Sequence, residues 1–307
     1  MTERGRPRPL QYTITFEHRC ARGRARSEKI KMKTLIIVAA CAAITANLAL
    51  AQDKPKPHEI IIDGVAGFQD TPMQPDGLWH VHDPARPQSP IVTPGASFSE
   101  NAAPTSDAIV LFDGKDLSQW VDKKTGGPVF WTVADGAAIS AKGDIQTTNK
   151  FGDIQLHLEF CEPTPPKGDD QGRGNSGVFF MGLYEVQVLD CYDNKTYADG
   201  ATGGLYGQHP ALANACRPPG NWETYDMIFT APRFAADGKL VSPAYVTVTF
   251  NGVVVQNHQA FRGATNWRVP GKYTAHDALM PLALQYHNNS VSFRNIWVRP
   301  VPLDNEP

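Results

Sequence analysis

The run Tyr184-Glu185-Val186-Gln187-Val188-Leu189-Asp190 is the most informative stretch of the chain, because it sets two carboxylates and an amide on one short segment. Strand alternation puts Glu185 and Gln187 on a single face, and a β-bulge after Gln187 would return Asp190 to their side. Paired carboxyl groups with an imidazole are suited to general acid–base work, and His287 supplies the imidazole. Glu159 and His157 share a polar strand face in Ile154-Gln155-Leu156-His157-Leu158-Glu159-Phe160, and Arg294 adds a cation. The same narrow vocabulary recurs with Gln285, Asn175 and Trp222. Such groups gathered on several strands of one sheet describe a hollow for a polyhydroxylated ligand, with Gln187, Gln285, Asn175, His157 and Trp222 as its binding groups. Glu185, Asp190 and His287, with no Cys among them, also form a ligand set suited to Ca2+, Mg2+ or Mn2+ rather than structural zinc.

These side chains need strands to hold them. After Asp107 the sequence turns to short alternating runs separated by turn residues, which predicts an all-β, antiparallel two-sheet sandwich over 107–302 with a tail at 303–307. About 195 residues in one block suffice to bury roughly 70% of the unfolded surface. Tyr245–Phe250 and Val253–Gln259 flank Asn251-Gly252, a strong hairpin signal. Leu282–His287 and Val291–Val298 are read as a second hairpin around Asn288-Asn289. Before them, residues 52–106 carry prolines at 55, 57, 72, 75, 84, 87, 90, 94 and 104, which predicts an extended, irregular arm. Phe68, Trp79, Ile91 and Phe98 are its candidate docking residues, and His80 and His82 fall on one side of an extended chain.

Residues 1–51 read as an address. Thr34 to Ala51 carries no charge, follows Lys31 and Lys33, and ends in Ala49-Leu50-Ala51, the pattern of a secretory signal cleaved near Ala51. Lys31-Met32-Lys33 places the start of translation at Met32. The apolar centre, Leu35 to Ile44, is shorter than the roughly 20 residues of a membrane span, so no stable span is expected. Val38-Ala39-Ala40-Cys41 offers lipidation at Cys41 as the secondary reading. The destination is periplasmic or secreted, where Cys191 and Cys216, flanking a Gly- and Asn-rich loop, are expected to pair and leave Cys161 free. Three unpaired thiols are the alternative. Residues after Ala51 hold nineteen Lys and Arg against twenty-eight Asp and Glu, an acidic balance that argues against nucleic acid as a partner. No Gly-rich nucleotide motif follows a strand, so no nucleotide cofactor is expected.

The spacing of Glu185, Gln187 and Asp190 resembles the Glu-x-Asp-x-x-Glu strand of laminarinase-type retaining glycosidases, with Gln187 in place of Asp and Asp190 in place of Glu. An amide cannot take over the carboxylate's electrostatic role, which argues against ordinary double displacement. Taken in order, further segments resemble the 3-keto-disaccharide hydrolase family. They are Leu111-Phe112-Asp113-Gly114-Lys115-Asp116-Leu117 with Trp120, Phe151 to Phe160, Asn175-Ser176-Gly177-Val178-Phe179, and Tyr184 to Gln187 with Asp190. Gly204-Leu205-Tyr206-Gly207, Asn221-Trp222 with Tyr225, Leu284-Gln285-Tyr286-His287 and Phe293-Arg294-Asn295-Ile296 follow. The resemblance covers about 107–300 and implies a concanavalin-like jelly roll acting on sugars oxidised to a ketone at carbon 3.

That ketone acidifies the hydrogen on carbon 2. A base removes it, the carbon 1 substituent leaves, and water adds to the enone, with no carboxylate nucleophile needed. Under this reading Glu185 is the general base or a metal ligand, and Asp190 and Glu159 are acids or ligands. His287 protonates the leaving group or binds a cation, and Arg294 clamps the enolate or pairs with Glu159 or Glu185. An upstream sugar 3-dehydrogenase would supply the substrate. A lectin-like carbohydrate-binding module and a retaining glycosidase are the competing functions.

Overall fold

The computed structural model describes residues 57–301 apart from residue 97, so the leader, its cleavage near Ala51, the alternative at Cys41 and the tail at 303–307 lie outside the described residues. Two antiparallel sheets carry the fold. A five-stranded sheet runs in the order Tyr184–Val188, Ser176–Phe180, Met280–Leu284, Ile145–Phe151 and Trp120–Asp122. The larger sheet runs Val253–Ala260, Tyr245–Phe250, Glu223–Thr230, Ile154–Cys161, Ser292–Pro300, Ala137–Ile139 and Thr132–Ala134, with Ile109–Phe112 also paired to Ser292–Pro300. This is the expected all-β sandwich.

Alternation explains the layering. Ile154, Leu156, Leu158 and Phe160 all point inward and are at most 2% exposed. They meet Val178, Phe180, Tyr184, Val186 and Val188 from the smaller sheet in one core. Phe180 stacks on Phe229 across that core with ring centroids 4.4 Å apart. Along Ile154–Cys161 and Tyr184–Val188 each apolar residue committed to this interior leaves its neighbour in sequence on an outer face, and the two outer faces point in opposite directions.

The Asn251-Gly252 hairpin forms as expected, both residues taking the left-handed conformation (φ 49° and 83°) that matches the twist of the flanking strands. The second expected hairpin does not form. Met280–Leu284 pairs with Ile145–Phe151 and Ser176–Phe180, whereas Ser292–Pro300 pairs with Ile154–Cys161 in the other sheet. Asn288 does adopt φ 60°, so the turn signal is real, but the turn passes the chain between sheets instead of pairing its flanks.

The arm is more ordered than its prolines suggest. Between Pro57 and Pro72 no proline intervenes, and there Glu59–Ile62 pairs with Val65–Phe68 around Asp63-Gly64. Phe68 is buried, and although the Ile91 and Phe98 side chains stay 81% and 63% exposed, the chain at Ile91 bridges Asn214 and the Phe98 ring lies against Gly252. Farther along, residues 99–102 lie across the outer face of the larger sheet, and His82 is fully buried.

Candidate active site

Glu185 and Gln187 belong to the strand at one end of the five-stranded sheet, and their cross-strand partners Phe179 and Gly177 lie on the same outer face. Gln285 continues that face just past Met280–Leu284, held by its own N–H donating to Gly177 O at 3.0 Å and by Ser176 Oγ donating to Gln285 O at 2.6 Å. The strand's free edge is covered. Leu205 bridges Val186, Gln187 N donates to Gly204 O at 3.0 Å, and Thr265 N donates to Leu183 O at 2.8 Å. These loops wall a cavity of about 490 Å³, the size of a small-molecule site, lined by Glu185, Gln187, Gln285, His287 and Asn175. Gln171, Phe179, Tyr197, Tyr206, Thr265, Asn266 and Trp267 complete it.

Among the described residues Glu185 is the one acidic residue lining the cavity, and it is only 3% exposed. Burial pushes its pKa up to about 8, an effect that the Lys123 ammonium partly offsets and the Asp144 carboxylate adds to. A carboxyl poised there takes and releases protons near neutral pH. Gly177 makes the room for it, because a Cβ at that position would collide with Glu185 Oε1. Gly177→Ala is therefore expected to lower kcat/KM at least about 10-fold, checked by steady-state kinetics beside an unchanged circular dichroism spectrum.

The polar partners are ordered in advance. Gln187 Nε2 donates to Gln171 Oε1 and to Gly200 O, each at 3.2 Å, while Gln187 Oε1 is buried without a donor among the described residues. Asn175 Nδ2 donates to Gln171 O at 2.8 Å. Tyr197 and Tyr206 share a hydrogen bond of 2.8 Å between hydroxyls, and burial raises both above the usual phenol range, so both stay protonated at neutral pH. Trp267 is 60% exposed at the rim, with the Arg268 guanidinium stacked 3.6 Å from its ring centroid.

Glu159, His157, Arg294 and Trp222 are not in this hollow. They lie on the outer face of the larger sheet, where His157 is paired with Asp226 and Trp297, and Glu159 with Arg294. Alternation foretells which side chains face outward, but not which of two sheets carries them. The arm covers this second group. Asn101 N donates to Glu159 Oε1 at 2.6 Å, Arg294 Nε donates to Glu159 Oε2 at 2.7 Å, and Arg294 Nη2 reaches Glu100 Oε1 at 2.9 Å. The Arg294 guanidinium stacks on Trp222 at 4.0 Å, and His157 Nδ1 contacts Asp226 Oδ1 at 2.8 Å. Burial opposes charge on Glu159, but hydrogen bonds from His157, Asn295, Arg294 and Asn101 outweigh it and hold its pKa at about 2. Fully paired and covered, Glu159 fastens the arm.

Asp190 departs in another way. The Tyr184–Val188 pairing has no bulge, and Asp190 lies beyond the strand with its carboxylate gripped by Arg173 Nε and Nη2 at 2.7 and 3.1 Å. The ligand set Glu185, Asp190 and His287 therefore does not assemble, and among the described residues no three His, Cys, Asp or Glu side chains gather as a metal site. Among the described residues Cys161, Cys191 and Cys216 are free thiols, so the expected Cys191–Cys216 bridge is not formed, although both residues line one cleft. Thr202 N donates to Cys191 Sγ at 3.3 Å.

Tyr206 and Phe179 fall within segments quoted above for the resemblance, but nothing in the sequence gave them a role. Trp267 had only a weak signal, an aromatic residue within the polar stretch Thr265-Asn266-Trp267 between Gly263 and Pro270.

Residues 107–299 match the family model of the 3-keto-alpha-glucoside-1,2-lyase-like domain. A crystal structure from Parabacteroides distasonis ATCC 8503, provisionally described as a glycosyl hydrolase, is 48% identical over 75% of this chain and 100% of its own, with a TM-score of 0.64. A second structure from that organism, with the same description, is 19% identical over 64% of this chain and 94% of its own, with a TM-score of 0.47. No curated protein matches.

Proposed function

The chain belongs to the 3-keto-alpha-glucoside-1,2-lyase-like domain family, and on that premise we propose that it cleaves 3-keto-glycosides, 3-keto-disaccharides among them, by elimination and hydration. The coarser part, a carbohydrate-active, hydrolase-like protein, rests on that membership and on its 48% identical relative. One observation carries the finer part, a single buried carboxyl with a pKa near 8 on the wall of a cavity otherwise lined by amides, hydroxyls and aromatic rings.

Ordinary retaining or inverting hydrolysis calls for two carboxyl groups flanking the bond, and the lining offers one. Elimination calls for one base. Glu185, ionised, takes the carbon 2 proton, while the electron pair moves toward carbon 1 and the bond to the leaving oxygen breaks. Hydroxyl, amide and imidazole groups of the lining give that oxygen and the ketone their hydrogen bonds, and water then adds at carbon 1. Gln187 and Gln285 bind sugar hydroxyls in this scheme, and Trp267 stacks on a sugar ring at the rim. Trp267→Ala should raise KM about 5-fold with kcat nearly unchanged, as expected for a stacking contact outside the reacting centre. Initial-rate kinetics check it.

Export fits this chemistry. The uncharged run from Thr34 to Ala51 supports a route to the periplasm or beyond, and a sugar 3-dehydrogenase is the class of enzyme that would supply the ketone. The test is to offer the purified protein a disaccharide and its 3-keto derivative, with and without chelator. Cleavage of the keto sugar alone is expected. Cleavage of both would favour a retaining glycosidase, and binding without turnover a lectin-like module. The chelator arm reports separately on any cation.

A further inference from the structure

The arm lies outside the segment matched by the family model, yet it reaches the back of the cavity wall. His82 is 0% exposed and takes φ 61°. Its Nδ1 donates to Asp199 Oδ1 at 3.2 Å, and its backbone N–H donates to Asp199 Oδ2 at 3.1 Å. Asp199 is itself fully buried, with Gln74 and Arg86 of the arm also on its carboxylate at 3.4 and 3.8 Å. Burial opposes its charge, but His82 and Arg86 hold the Asp199 carboxyl below its usual range. The far nitrogen of the ring, His82 Nε2, is buried without a partner among the described residues. The imidazole packs on Tyr197 and Tyr206, with centroids 4.1 and 4.9 Å away, and a Cβ on Gly207 would lie 3.3 Å from His82 Cε1.

Those two tyrosines line the cavity. Tyr197 is 4% exposed and Tyr206 only partly buried, so the Tyr206 hydroxyl is the one of the pair that a ligand reaches, and with Tyr197 as the donor between them the Tyr206 proton is free for it. Tyr206 also sits beside Glu185, because its N–H donates to Glu185 O at 3.4 Å along the strand's covered edge. His287 is farther off in the topology, beyond the Met280–Leu284 strand, which is separated from the Glu185 strand by Ser176–Phe180. In an elimination the base acts at carbon 2 and the acid at the oxygen on the adjacent carbon, which favours a donor next to Glu185.

We propose that Tyr206 protonates the leaving-group oxygen and that His82, fixed by Asp199, is a positioning residue that holds the Tyr197–Tyr206 hydroxyl pair, so that the arm is part of the active site. This rests on the elimination reading above. The carbon 2 proton passes to Glu185, the electron pair forms the carbon 1–carbon 2 double bond as the carbon 1–oxygen bond breaks, and the departing oxygen takes the Tyr206 proton. Water adds across the double bond, with its hydroxyl at carbon 1 and a proton at carbon 2, and the tyrosinate regains its proton from Glu185.

Leaving groups that need no proton give the test. Full-length parent, Tyr206→Phe and His82→Phe are compared on a 3-keto-disaccharide and on a nitrophenyl 3-keto-glucoside. On the disaccharide, Tyr206→Phe should lose about 10²-fold in kcat and His82→Phe about 10-fold, with KM little changed. On the nitrophenyl substrate both losses should shrink to about 2-fold or less. Equal losses on the two substrates, or none on the disaccharide, overturn the proposal. Tyr206→Phe removes one oxygen and keeps the ring packing, so it decides the matter even if His82→Phe does not fold. A parent protein that turns over neither keto substrate refutes the elimination reading instead.

Discussion

Glu185→Gln is expected to lose at least about 10³-fold in kcat on a 3-keto-disaccharide, while melting at a higher temperature than its parent at pH 8. Both halves follow from one buried carboxyl. As the base it must be ionised, so the parent's kcat/KM should climb with pH and level off above about 8. The stability sign is opposite to that of a salt-bridged acid. Glu185 has a folded pKa of about 8, above an ordinary value of 4.5, so between those values the folded state holds a proton that the unfolded chain has released. Folding stability therefore falls as pH rises through that window, and the amide, which never ionises, escapes the loss. Thermal melts of both proteins at pH 5 and pH 8 measure this, with the gap between them widening at the higher pH. A variant that is inactive and also less stable at pH 8 would mean that Glu185 holds the fold together.

Glu159→Ala should behave in the reverse manner. Its carboxylate is fully paired under the arm, and removing it leaves Arg294, His157 and Asn101 facing a lost partner. Breaking such a buried pair costs about 3–5 kcal/mol, or roughly 10 °C in Tm for a domain of this size. Per folded molecule, kcat should stay within about 2-fold of the parent, since Glu159 holds the arm at Asn101 on the other sheet, whereas His82 at the cavity is held separately by Asp199. The lowered pKa gives the pH dependence its direction. Stabilisation by Glu159 is complete above its unfolded value of 4.5 and disappears as pH falls toward about 2. Scanning calorimetry with kinetics below the melting range reads both effects, and a large fall in kcat without a fall in Tm would return Glu159 to the catalytic group.

The contrast between these two residues shows what the sequence could and could not convey. Strict alternation from Ile154 to Phe160 and from Tyr184 to Val188 told which side chains leave the core, and that held in the structure. It says nothing about sheet membership, which depends on pairings between residues more than a hundred positions apart, such as Arg294 with Glu159. Shared outward polarity therefore groups Glu159, His157, Arg294 and Trp222 with Glu185, although the core separates them. Asn288-Asn289 misled for a related reason, since turn chemistry dictates a local reversal but not the partners of the flanking strands. Asp190 needed a bulge that the pairing lacks. Tyr197, Tyr206 and Trp267 enter the cavity from loops, where no periodicity marks them.

The fate of the hydrogen on carbon 2 tests the central claim most directly. A 3-keto-disaccharide cleaved by this protein in heavy water should release a 3-keto-sugar carrying deuterium at carbon 2, at a rate that Glu185→Gln suppresses along with cleavage. Cleavage that leaves the original hydrogen in place, or proceeds equally well on the sugar without the ketone, would contradict proton abstraction by Glu185.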